Sequence, residues 1–256
     1  MSNSDWVEEL YEFTMGNKTW RYTSADRNIG SYQKVPIGRD KVEQTQEEER
    51  NSLNIQCSLS LEMLRLYYGA PPSETNSLVI KGINSADQTS IIWLGRVTNV
   101  KFLEYSAEIH CEPIYTSLQR TGLRRLYQLS CPHILYGPDC RANKSSFKQN
   151  AIVETINGYN LLSSSFATKP DGYYAGGYVD WFHDTFLERR FIIAHAGSSI
   201  KLNMAFQNMN ILEQVTVYAG CNHTIDQCSS KFNNVINYGG QPFYPKKNPM
   251  NGTPIF

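Results

Sequence analysis

The sequence predicts a mainly β protein with few short helices, and three observations carry that expectation. Aromatic residues are frequent, with 16 Tyr, 11 Phe and 4 Trp in 256 residues, and such side chains favour pleated strands and flat contact surfaces. Several stretches alternate apolar and polar residues with a period of two. The breaks between them carry Gly, Pro and Asn-Gly signals. A hydrophobic content of 41% supplies material for a buried core. The expected organisation is an N-terminal β domain over residues 1–130 and a β-rich C-terminal domain over 131–256, the latter with a cysteine cluster and a coil tail.

Taken in chain order, Leu53, Ile55, Cys57 and Leu59 alternate with Asn54, Gln56 and Ser58, the pattern of a strand with one dry face and an inward Cys57. Leu61 to Tyr68 reads as a short helix closed by Gly69 and the breaker Ala70-Pro71-Pro72. Ile91 to Val100 reads as a strand. Tyr105, Ala107, Ile109 and Cys111 alternate with polar residues until Pro113, which makes Cys111 a second core-facing thiol. Arg120 to Leu129 has the look of another short helix leading into Cys131.

Ala151 to Ile156 runs into Asn157-Gly158, a two-residue turn signal whose central positions both need positive φ. Gly176-Gly177, between Tyr173-Tyr174 and Tyr178-Val179, reads as another tight turn. Ile200, Leu202, Met204 and Phe206 alternate with Lys201, Asn203 and Ala205, and Val215 and Val217 flank Thr216, giving hairpins of a compact β unit. Asn237 to Phe256, rich in Pro and Gly, is expected to be coil. Glu47 to Glu49 reads as a solvated loop, and at least half of Trp6, Trp20, Trp93 and Trp181 as core.

Charge weighs against some functions. Lys plus Arg and Asp plus Glu both number 24, so there is no bulk attraction to a phosphate backbone or an anionic membrane. No segment approaches the ~20 apolar residues of a spanning helix. The opening MSNSDWVEELYEF is too acidic and polar for a secretory signal, which points to a chain made in the cytoplasm. In that reducing setting six cysteines are thiols or metal ligands before they are disulfides.

Four of them fall in two local pairs. Cys131 and Cys140 bracket eight residues in CPHILYGPDC, and Cys221 and Cys228 bracket six in CNHTIDQC. Pro132, Gly137 and Pro138 shape the first stretch, and Gly220 with Asn222 opens the second, so both read as turn-rich loops able to curl their thiols toward a common point. Three readings stand side by side: separate buried thiols, two disulfides, and four ligands to a metal. Zinc usually takes the short C-x2-4-C knuckle, which neither pair has, so under the metal reading the wide loops favour a four-iron cluster. His133 and His223 each follow a first cysteine by two residues. They are candidates to replace a thiolate or to donate an N–H to a sulfur, or else ordinary loop residues.

Catalytic signatures are missing from the sequence. It holds no G-x-S-x-G, no H-E-x-x-H and no phosphate-cradling glycine loop. Asp180, His183 and Asp184 lie close together, but one histidine among carboxylates is usually a solvated turn. His110 and His195 have no evident partner in sequence. The chain is expected not to be an enzyme.

A resemblance adds to these readings. Gly176-Gly177, the CNHTIDQC stretch, Lys231-Phe232-Asn233-Asn234 and Asn237-Tyr238-Gly239-Gly240 through Pro242 and Pro245 look like the C-terminal domain of tail-tip hub proteins of siphophages and gene transfer agents. Arg21 to Asp26, Ser31-Tyr32, Glu43-Gln44 and Asn51 are similar to that family's N-terminal domain. The lambda-type minor tail protein carries the same intervals within its cysteine pairs, and there four thiolates hold an iron–sulfur cluster. The pairs here are separated by 80 residues, more than in that protein, so the intervening β unit reads as an insertion that the gene-transfer-agent branch shares.

The resemblance implies a structural virion protein: an N-terminal β-barrel-like hub domain, a second β-rich unit and a cysteine-ligated region. It implies a homotrimeric baseplate hub at the virion tail tip, assembled in the host cytoplasm. That hub joins the distal tail protein ring to the central fibre or tip attachment protein and borders the tape-measure protein C-terminus. It involves no membrane and no sequence-specific nucleic acid. By position, Cys131, Cys140, Cys221 and Cys228 would be the ligands of a [4Fe-4S] cluster. A zinc-stabilised interaction module and a tail-associated enzyme are the alternatives.

Overall fold

In a computed structural model of the chain, residues 8–42, 52–69, 71–84, 88–118, 127–183 and 186–243 are described. The fold is mainly β with few short helices, and the chain divides into two compact units. The first comprises Met1–Arg120 with Phe182–Glu188, and the second Thr121–Trp181 with Arg189–Phe256.

The first unit is built on strands β1 (Glu8–Met15), β2 (Lys18–Thr23), β3 (Gln33–Lys34), β4 (Ile37–Arg39), β5 (Leu53–Ser58), β6 (Ser77–Ile83), β7 (Thr89–Phe102) and β8 (Ser106–Pro113). Their order in the sheet is β3-β2-β1-β6-β7-β8-β5-β4. The two outermost strands are separated in sequence only by Val35 and Pro36. Val35 still donates to Thr23 O at 3.2 Å, whereas Pro36 O accepts from Ser58 N at 3.0 Å. One run of chain therefore pairs with β2 before Pro36 and with β5 after it, and the sheet closes on itself. Proline has no N–H to give a ladder, so it suits the point where the strand changes partner. Closure leaves no long open edge for another chain to template on.

Alternation then decides the interior. Leu53, Ile55 and Cys57 on β5 face Ala107, Ile109 and Cys111 on β8, all buried, with Cys57 opposite Ala107 and Leu53 opposite Cys111. Tyr11, Phe13 and Trp20 fill the space between, and each such side chain contributes roughly 1.5–3 kcal/mol on burial. Phe186 belongs to this core and stacks on Trp20 at 5.9 Å. The expected helix after β5 is a 3-10 helix, Glu62–Tyr67, that buries Met63, Leu64 and Tyr67 and ends near Gly69, whose φ is +81°. Leu59 and Tyr105 depart from the expected alternation. Both lie just outside their strands, and Tyr105 is 82% exposed.

The second unit repeats the closing device. Its sheet is made of β9 (Lys148–Ile152), β10 (Thr155–Asn157), β11 (Asn160–Leu162), β12 (Tyr178–His183), β13 (Phe186–Ala196), β14 (Ser199–Leu202) and β15 (Gln214–Tyr218), ordered β10-β11-β14-β13-β12-β15-β9, with the Phe182–Glu188 part of β12 and β13 counted in the first unit. Here Val153 and Glu154 join the two outermost strands. Val153 N donates to Glu213 O at 3.0 Å and Glu154 N to Leu162 O at 2.8 Å. Val153, Phe166, Tyr174, Trp181, Ile192 and Val217 are among the side chains of the enclosed core.

Four expectations need correction or narrowing. The β10–β11 hairpin forms, but Asn157 pairs with Asn160, so Gly158 and Tyr159 are the central residues and only Gly158 has positive φ, +58°. β14 ends at Leu202, leaving Met204 in an exposed loop. Of the helix expected over Arg120 to Leu129, Tyr127 to Leu129 are coil, and 119–126 lie outside the described residues. The closing stretch begins with a 3-10 turn, Val235–Asn237, and continues as coil to Phe243, with the rest outside the described residues. Trp20, Trp93 and Trp181 are all buried. Trp6, Glu43, Gln44, Glu47 to Glu49, Asn51, Ala70, Asp184 and Pro245 also lie outside the described residues.

Candidate metal centre

Cys131, Cys140, Cys221 and Cys228 line one cavity of the second unit, together with His133, His223, Asn234 and Tyr238. All six cysteines of the chain are free thiols. Cys57 and Cys111 are buried in the first unit's core, where burial pushes the Cys57 thiol up to about 12 and raises Cys111 as well. They pack as small hydrophobes and take no part in the quartet.

Close backbone approach places Cys221. Gly176, with φ +81°, stands in the tight turn expected there, which Gly177 N closes onto Tyr174 O at 2.9 Å, and the two glycines have a second role. They lie against the stretch from Tyr218 to Cys221: a Cβ on Gly176 would stand 2.6 Å from Cys221 O, and one on Gly177 would overlap Tyr218 O. A Cβ on Gly220 would likewise run into the Ala175 carbonyl. Only glycines let the two backbones pass this closely. Ile192 donates to Gly177 O and Gly176 to Ile192 O, both at 2.9 Å, which fixes the crossing to β13.

Cys228 is presented differently from the loop residue expected. It lies in a short helix, α1 (Ile225–Ser230), because Thr224 and Gln227 form a capping arrangement at its start. Thr224 Oγ1 accepts from Gln227 N at 3.3 Å, and Gln227 Oε1 accepts from Asn222 N. The T-x-x-Q spacing was a readable sequence signal for that helix.

The first pair is held by residues that sequence spacing does not flag. Tyr136, with φ +61°, donates its hydroxyl to Ala219 O at 2.7 Å, just ahead of Gly220 and Cys221. Its ring meets Tyr178 and Phe232 edge-on, each at 6.1 Å. Cys131 N donates to His223 O at 2.9 Å, while His223 Nδ1 is 2.8 Å from Cys131 O, so the two stretches are tied reciprocally. Asn234 spans both pairs, with Nδ2 donating to Cys140 O at 2.5 Å and its backbone N to Cys228 O at 3.0 Å.

The closing coil lies over this assembly. Tyr238 donates to Leu129 O at 2.7 Å, and Gln241 N donates to Gln128 O at 2.8 Å. His133 Nδ1 is 3.0 Å from Asn237 O, and the other end of its ring packs under Gly239. Because carbonyls only accept, the Nδ1 atoms of His133 and His223 carry the protons, and both rings act as struts between chain segments. Four of the six non-glycine residues with positive φ among the described residues, Tyr136, Arg141, His223 and Asn233, stand in or beside these stretches. Strained backbone of that kind persists where surrounding contacts over-determine it.

The donor set suits a metal–sulfur centre. Three of the four sulfurs receive N–H donors: His223 N to Cys221 Sγ at 3.3 Å, Gly239 N to Cys131 Sγ at 3.4 Å and Asn234 Nδ2 to Cys140 Sγ at 3.8 Å. Donors of this type hold anionic thiolates and tune the metal behind them. Among the described residues no carboxylate lines the cavity. Burial, and then the neighbouring sulfurs, push the Cys228 thiol up; burial raises Cys221 while the His223 N–H opposes it. Metal would therefore displace protons on entering, and acid would oppose its uptake. Among the described residues no three His, Cys, Asp or Glu side chains are grouped tightly enough for a single metal ion. The shared cavity and the mutual charge effects of the sulfurs bring the four cysteines to one place.

The other candidates sort out plainly. Asp180 is engaged by Arg189 at 2.6 and 2.8 Å and by Lys144 at 3.3 Å, an ion-pair cluster on β12. His195 is buried, with Nε2 3.1 Å from Gly197 O, and His110 Nδ1 is 2.7 Å from Asn54 Oδ1. These histidines serve strands and turns.

Comparison with solved structures gives the fold class first. The chain matches one chain of the virion of a native gene transfer agent particle with a TM-score of 0.78, at 17% identity, over 99% of this chain and 93% of that one. A family described as phage conserved hypothetical protein BR0599 matches residues 172–248, which include the glycine crossing, Cys221, Cys228 and Asn234. No curated protein matches.

Proposed function

We propose that this chain is a structural virion protein of a phage or gene transfer agent, acting as the tail-tip hub. In this reading a homotrimer joins the distal tail protein ring to the central fibre or tip attachment protein and borders the end of the tape-measure protein. Cys131, Cys140, Cys221 and Cys228 hold a [4Fe-4S] cluster, with zinc as the alternative metal. The observation that carries the reading is the convergence of four free thiols on one cavity, in a chain whose fold follows a gene-transfer-agent virion chain almost end to end.

The cluster supplies a covalent junction where apolar burial is weak. Around the cysteines Ile134, Val235 and Ile236 are exposed, so the hydrophobic effect does little to hold the closing coil down. The chain's own residues do the rest. Asn234 bridges the two pairs, Tyr136 seats the first stretch beside Ala219, and Tyr238 and Gln241 bind the coil to residues 128 and 129. The eight- and six-residue intervals within the cysteine pairs, longer than the short knuckle zinc usually takes, favour the cube over zinc.

The assembly role is tested in particles. Antibody against an epitope-tagged chain is expected to label purified particles at one site, the tail tip. Depletion of the chain is expected to arrest tails without a tip. Label on the capsid or along the tube, or normal tails without the chain, contradicts the hub assignment.

A further inference from the structure

Lys231 stands at the end of α1, half-buried, with its ammonium turned toward the start of the second cysteine stretch. Nζ donates to Gly220 O at 2.7 Å, directly before Cys221, and to Tyr173 O at 2.5 Å. The ring of Tyr173 lies under it at 4.1 Å and that of Phe232 at 5.4 Å. Two carbonyls and two ring faces solvate the cation in part, but among the described residues no carboxylate pairs with it, and its charge neighbour is Cys221. A half-buried ammonium without a counter-charge is unfavourable. Four thiolates around a metal carry a net negative charge, and Cys221 and Phe232, the chain neighbours of Gly220 and Lys231, line their cavity.

We infer that the Lys231 ammonium is the built-in counter-charge of the four-cysteine centre and sets the electrostatic potential at which that centre holds its charge. The inference rests on the proposed cluster and adds a role for a residue that is not a ligand. The cation favours more negative charge in the cavity, so it stabilises a reduced cluster over an oxidised one. The two carbonyl acceptors hold the charge at a fixed place.

The test is a potentiometric titration of anaerobically purified wild type, K231M and K231R, read by visible absorbance and electron paramagnetic resonance, the electron coming from a chemical reductant. Loss of this one charge is expected to lower the reduction equilibrium constant about tenfold, about 59 mV for a one-electron couple. K231R, which keeps the charge, is expected to keep the wild-type potential. A loaded K231M with an unchanged potential overturns the inference and leaves the cluster standing. If K231M does not retain the centre, K231R decides: retained loading and potential support the counter-charge, and their loss makes Lys231 a geometric strap. A wild type without a redox-active centre overturns both readings at once.

Discussion

Cys228→Ser is expected to yield protein without iron, without brown colour and with its second unit markedly less stable than wild type. Cys228 is the most buried of the quartet and is delivered by α1, so under the proposed function its loss removes both a ligand and the attachment of that helix to the first pair. Four-ligand structural metal sites contribute on the order of 10 kcal/mol to the segments they organise. Ordinary point mutations cost about 0.5–3 kcal/mol. Iron content, visible absorbance and a thermal melt of the same preparation check this. Cys57→Ala is the control: its thiol lies in the first unit's core, so it is expected to cost about 1–3 kcal/mol for a lost buried group and to leave iron and colour intact. Equal loss of colour in both variants would show that overall stability governs retention of metal.

Gly220→Ala is the second large effect. The added Cβ would overlap the Ala175 carbonyl and crowd Gly177 N, both backbone atoms of a segment fixed by Ala175 N donating to Gly172 O and Gly177 N to Tyr174 O. Neither can give way as a flexible side chain would, so we expect about 3–5 kcal/mol of destabilisation and displacement of Cys221 from the cavity. Gly158→Ala is the comparison, since nothing lies near its Cβ and its φ of +58° is the sole difficulty; about 1 kcal/mol is expected there. Chemical denaturation of the two variants, with iron content measured alongside, separates crowding at the crossing from simple loss of glycine freedom. A Gly220→Ala protein as stable and as brown as wild type would remove the crossing from the account of how Cys221 is placed.

Local pattern in the sequence identifies much of the β framework and all four clustered cysteines. The alternation around Cys57 and Cys111 marks β5 and β8 and their inward faces because it depends only on pleat geometry. Closure of each sheet is invisible at that level. It depends on Pro36 and on Val153-Glu154 changing partners between strands far apart in sequence. The Gly176-Gly177 pair is ambiguous for a related reason: a glycine needed for positive φ and one needed for a backbone crossing look alike until the opposing chain is known. Thr224-x-x-Gln227 is readable as a helix start, yet its place between two cysteines makes the loop reading more natural. Tyr136, Asn234 and Lys231 act through carbonyls 83, 94 and as many as 58 residues away, and no local motif reports such contacts.

The central proposal is that one [4Fe-4S] cluster joins Cys131, Cys140, Cys221 and Cys228, and metal analysis of the intact chain purified without oxygen addresses it most directly. The account predicts roughly four irons and four acid-labile sulfides per chain, both lost in Cys228→Ser. A protein that holds one zinc, or no metal at all while remaining folded, would contradict it.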